Sequence, residues 1–190
     1  MKSFIFTCLF LLLGTTLYAQ TEEESQDART VAMGAFYSAS ESAQAVIERS
    51  ETAESLKDQI VQLISDLQVA AQAHPEYSNP TFQANLASYL ADAEELYIII
   101  NIKRDAGATK MASGISLIED ADDAACAYDW VNSYNYAIEA RPLLDANIFD
   151  PEHGAKQLFD HAVTNLNEYI DILDTLYCII YGELYVVNNL

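Results

Sequence analysis

Basic residues are scarce in this chain: 9 Lys and Arg stand against 29 Asp and Glu, giving a formal net charge of −20. A nucleic-acid binder needs a positive footprint to displace counterions from phosphates, so that class is excluded. Histidine is almost as rare, with only His74, His153 and His161. A di-iron site in a ferritin-like bundle needs Glu-x-x-His on two helices, and here the residues three before each histidine are Ala71, Asp150 and Leu158. His153 and His161 share a helical face but lie two turns apart, too far for one ion. Cys-x-x-Cys-His, His-Glu-x-x-His, a glycine-rich phosphate loop and Gly-x-Ser-x-Gly are all missing. No cofactor, metal or catalytic residue is expected, and the chain reads as a non-enzyme.

Long apolar runs are confined to the first residues. Lys2, an apolar stretch from Phe4 to Leu13 and Leu17-Tyr18-Ala19 before Gln20 describe a signal peptide over residues 1–19, cut after Ala19. The stretch is too short to cross about 30 Å of hydrocarbon as a helix. It resembles the leaders of exported bacterial proteins, which implies a secreted or periplasmic product. Later clusters, Leu96 to Ile100 and Tyr177 to Tyr181, are bounded by Glu95, Asn101, Asp174 and Glu183 and fall short of a membrane span. Cleavage would remove Cys8 and leave Cys126 and Cys178. In an oxidising compartment two cysteines invite a disulfide. Were the helix holding Cys126 to end at Arg141 and the chain to reverse, the two would differ by ~20 Å in height; continuation through a Pro142 kink to Phe149 would reduce the gap to ~6 Å. Two separate buried thiols are the alternative.

What is present is a half-apolar chain, 51% by composition, which can bury a core and is not a disordered acidic tail. Residues 20–190 have the length of one domain and contain no linker. Between Thr21 and His74 there is no proline and one glycine, Gly34. Positions 32, 35, 39, 42, 46, 49, 53, 56, 60, 63, 67 and 70 are apolar in ten of twelve cases, which predicts one long helix or two nearly collinear ones. The first half of this stripe is Ala and Ser, the second Leu and Ile. Arg49 interrupts it, where a kink or a change of partner is expected, with Ser50 or Thr52 able to cap a second piece.

His74 to Pro80 is a turn, with Asn79 as cap and Pro80 as first helical residue. Phe82, Leu86, Tyr89, Ala93, Leu96 and Ile100 form the stripe of a second helix ending near Gly107, although Tyr97-Ile98-Ile99-Ile100 has strand-like composition. A weaker third stripe follows Ser113-Gly114 through Leu117, Ala121, Ala124, Tyr128, Val131 and Ile138, with Pro142 kinking or ending it. Asp150-Pro151 opens a last helix, with stripe residues Leu158, Ala162, Leu166, Tyr169, Leu173, Leu176 and Ile180. Gly182 is a terminator, with Glu183 to Leu190 left as a tail or small hairpin strand. Four apolar stripes joined by three connectors predict an all-α, antiparallel four-helix bundle with a long first helix.

Two surface features bear on function. Glu119, Asp120, Asp122 and Asp123 form the densest acidic stretch. They lack the ligand alternation and glycine of an EF-hand loop, which leaves weak association with divalent cations. The uncompensated charge should make thermal stability rise with salt. Twelve tyrosines are the other excess. Trp130 and Tyr134 share a helical face and are candidates for partner binding or sugar stacking. The small residues Ala32, Ala35 and Ala39 would permit close approach of a second copy. The reading is an exported structural or interaction component, self-assembling in a cation-dependent way with itself or another protein. The runner-up is an envelope protein that binds a small apolar ligand or a basic polypeptide, and a carboxylate-based hydrolase comes third.

Overall fold

The structure, a computed structural model, describes residues 20–145 and 154–190. Among the described residues there are four helices and no strand: α1 (Glu22–Ala73), α2 (Pro80–Cys126), α3 (Trp130–Leu144) and α4 (Ala155–Val187). The all-α bundle that the four stripes require is present.

α1 runs 52 residues without a break, about 78 Å. Thr21 starts it with a reciprocal capping box: the Glu24 N–H donates to Thr21 Oγ1 at 3.1 Å and the Thr21 N–H donates to the Glu24 carboxylate at 2.9 Å. Three glutamates in the first turn complement the positive end of the helix dipole. Arg49 is exposed and produces no break, and Thr52 bonds back to the Glu48 carbonyl inside the continuous helix. The change of partner does occur, but earlier: Ala35 belongs to a core shared with α3, and Ala39 to one shared with α4.

Asn79 and Pro80 start α2 as the sequence indicates, with Asn79 Oδ1 accepting from the Phe82 N–H. The helix then passes through both Gly107 and Gly114 and ends at Cys126. Its end carries no glycine. Tyr128 takes the left-handed backbone conformation, φ 61°, that glycine normally supplies. The Tyr128 N–H donates to the Ala125 carbonyl and the Asp129 N–H to the Ala124 carbonyl, which together make a Schellman closure. Asp129 then caps α3 through the Asn132 N–H. This break resets the helical phase. Tyr128 and Val131, expected on a core stripe, are exposed, as is Ile138, and the buried residues of α3 are Ser133, Ala137, Ala140 and Leu144.

α3 and α4 both run parallel to α1 and follow one another along the groove between α1 and α2. Ser25 near the start of α1 hydrogen-bonds Ser133 of α3 at 2.7 Å, Ser42 bonds Asp160 of α4 at 2.6 Å, and Asn79 beyond the end of α1 bonds Glu183 at 2.9 Å. α3 and α4 barely touch each other. α3 and α4 therefore point the same way along the rod, and among the described residues any one cross-section holds three helices. Asp150 and Pro151, expected to open the last helix, lie outside the described residues. All seven stripe residues of α4 are buried, and the helix continues past Gly182 because Glu183 and Val187 also face inward. The expected tail or hairpin is thus helix.

This direction of travel decides the cysteines. Cys126 closes α2 at one end of the rod, and Cys178 lies towards the opposite end, more than ~50 Å away along α3 and α4. A disulfide needs Cα atoms within about 7 Å. Both thiols are free and exposed, which overturns the bridge and the buried-thiol alternative alike.

Candidate ligand groove

The second half of α1 and the first half of α2 each pack on α4 but share few contacts with each other. Their stripes here are Val46, Ala53 and Ile60 on α1 and Phe82, Ala93 and Ile100 on α2, all buried against Leu166, Tyr169, Leu173, Leu176 and Ile180 of α4. Large side chains on α4 prop the outer helices apart, since interaxial distance follows the side chains at the contact. The result is an open groove with α4 as its floor.

Two adjoining spaces make up the groove. The larger, about 270 Å³, is walled by Ile60, Val61 and Ile64 of α1 and by Leu90 and Ala93 of α2, over a floor of Leu173 and Leu176. Lys57 and Glu94 stand at its edge. The smaller, about 100 Å³, is bounded by Ser50, Glu54, Asn101 and Arg104, with Leu166 and Ile100 beneath. Lys57, Tyr97 and Tyr169 border both.

The junction is aromatic. Tyr97 and Tyr169 lie 6.0 Å apart between ring centroids, and Lys57 Nζ sits 5.3 Å from the Tyr97 centroid, a cation–π contact. Burial raises the Tyr169 phenol above its usual pKa, and Tyr97 adds to the shift. At neutral pH the Tyr169 phenol therefore keeps its proton. A space of this size is at the small end of ligand-binding cavities. Its lining can desolvate an apolar body and offer polar groups at one end.

The residues singled out from the sequence lie elsewhere. Ala32 and Ala39 are fully buried and Ala35 nearly so, packed in the molecule's own core. The close approach they permit is used by α3, through Ala137, Ala140 and Leu144, and by α4, so they present no face to a second copy. Trp130 is half-buried and meets Tyr128 edge-to-face at 5.8 Å. Tyr134, expected to project outward beside it, packs partly against the core because α3 turns Ser133 and Ala137 inward. Glu119, Asp120, Asp122 and Asp123 are exposed, and Asp122 accepts from Arg29 at 2.8 Å. Among the described residues no group of three or more His, Cys, Asp or Glu is placed to hold a metal ion.

The groove residues went unmarked in the sequence. Tyr97 was conspicuous only as part of a β-branched run, and Tyr169 only as a stripe residue. Lys57 and Arg104 carried a usable signal, since in so acidic a chain each cation is a rarity. No protein-family model, curated protein or solved structure matches this chain.

Proposed function

We propose that this is an exported, non-enzymatic binding protein whose ligand is a small apolar molecule held between α1 and α2. The observation that carries the reading is the groove itself, an apolar space left where α4 keeps the two long helices apart. Its lining offers surface to desolvate rather than a nucleophile paired with a base. The self-assembly reading has lost the Ala32, Ala35 and Ala39 face on which it depended, because that face is covered within one chain.

Calorimetric titration of residues 20–190 with dodecanol, below its solubility limit, tests the proposal. Saturable binding of one molecule per chain is expected. Ile64 is half-buried at the groove wall, so Ile64→Glu places a charge there while leaving the deep core intact. It should weaken binding about tenfold or more, consistent with the cost of desolvating a charge, with the circular dichroism spectrum unchanged. Absence of saturable binding to the unsubstituted chain would refute the reading.

A further inference from the structure

We propose that the groove's ligand is a single-chain amphiphile with an anionic head group, seated with its head in the recess beside Ser50 and Asn101 and its tail along Ile60 to Ile64. This rests on the binding reading above and specifies the ligand's chemistry.

The charge balance in the recess runs against that of the chain. Acidic residues outnumber basic ones 29 to 9 overall, yet the recess is bordered by two cations, Lys57 and Arg104, and one carboxylate, Glu54. Glu94 stands at the edge of the apolar space and not in the recess. Lys57 forms no ion pair within 4 Å among the described residues, and its ammonium sits over the face of Tyr97. Arg104 pairs with its sequence neighbour Asp105 at 3.0 Å, with both side chains largely exposed. An exposed pair of this kind contributes little and exchanges readily.

Hydrogen-bonding capacity is also left over there. The Ser50 hydroxyl and the Asn101 amide are half-buried, border the recess and make no hydrogen bond among the described residues. A hydroxyl, an amide, an ammonium and a guanidinium thus border a space of about 100 Å³. With about 30 Å³ per water, such a space holds a head group of a few heavy atoms. All four groups can donate, and an anion accepts from all of them. From Ser50 to Ile64 the groove spans ~21 Å along α1, and beyond Lys57 its walls are apolar apart from Glu94. Head and tail therefore have separate places in one continuous trough.

The test compares ligands that differ only in the head: dodecanoate, dodecyl phosphate and dodecanol, each titrated into residues 20–190 below its micellar concentration. At least one of the two anions should bind about tenfold tighter than the alcohol, the scale of a charge-assisted hydrogen bond. The preferred anion assigns the head as carboxylate or phosphate. Lys57 is exposed, so Lys57→Met should fold normally. It should cut anion affinity about tenfold while leaving that for dodecanol within about twofold, and Asn101→Leu should act in the same direction. Equal or tighter binding of dodecanol, or equal loss of all three ligands in Lys57→Met, overturns the anionic head and leaves the groove reading standing. No binding of any of the three overturns both.

Discussion

Around α3 the helices meet on Ala28, Ala32, Ala35, Ala121, Ala137 and Ala140; around α4 they meet on Ile60, Phe159, Leu166, Tyr169, Leu173 and Ile180. The same two long helices form the outer walls of both regions. Small side chains let a third helix sit deep between them, whereas large ones hold the walls apart. The groove belongs to the second region for that reason. A polar link fastens each region: a buried one between Ser25 and Ser133 in the first, and a part-buried one between Asn79 and Glu183 in the second. The regions meet at α2, where Gly114 lies under Leu144 and Gly107 under Phe159, two turns apart on one face. A Cβ on Gly114 would come within 2.6 Å of Leu144 Cγ, and one on Gly107 within 2.8 Å of the Phe159 ring.

Opposite kinds of substitution should break the two regions. The largest effect is expected from removing bulk beside α4: Ile180 is fully buried, and Ile180→Ala should cost about 2–5 kcal/mol of unfolding free energy in urea titrations, as cavity-forming changes do. Adding bulk at the narrow end comes next. Gly114→Ala should cost about 1–3 kcal/mol through overpacking against Leu144, measured the same way. Gly34, whose Cβ would meet nothing within 4 Å, is the control. Gly34→Ala should be neutral or stabilising by up to about 1 kcal/mol, as expected for a mid-helix glycine. If Gly114→Ala proved as harmless as Gly34→Ala, the close-packed account of the α3 region would fail.

The smallest expected effect is on the pH dependence and also falls in the α4 region. Tyr169 is raised by burial and then by Tyr97; Tyr77 is raised by burial and then by Glu183; Lys156 is raised by its hydrogen bond to Asp160. Each group holds its proton to higher pH when folded than when unfolded. Between the two values the folded state binds more protons, so stability falls as pH rises. The contribution should be fully present below about pH 10, the ordinary range for these groups, and be lost above it. Urea midpoints from pH 8 to 11 would register the fall, and Tyr169→Phe should make it shallower.

Much of the fold was legible in the sequence because a helical stripe is a local pattern. The α4 stripe was readable residue by residue, and Asn79-Pro80 announced a helix start through chemistry that is also local. The end of α2 and the start of α3 were harder to read for a physical reason. Glycine signals a helix end when its conformational freedom is used, but Gly107 and Gly114 are used for their lack of a side chain. The true end of α2 places Tyr128 in the left-handed conformation without a glycine. The groove was less legible still, since Lys57, the pair Tyr97 and Asn101, and Tyr169 come from three helices and no spacing in the chain relates one helix to another.

Composition and periodicity by themselves determined that the chain is helical, that α1, the first part of α2 and α4 carry apolar faces and that its net charge is strongly negative. These properties depend on residues within a few positions of one another and on the sum of charges. Only the tertiary structure decided that α3 and α4 travel in one direction, that the alanine face is spent inside the molecule and that a trough opens beside α4. Those outcomes turn on which side chain meets which across different helices, and in particular on whether the contact is alanine or leucine.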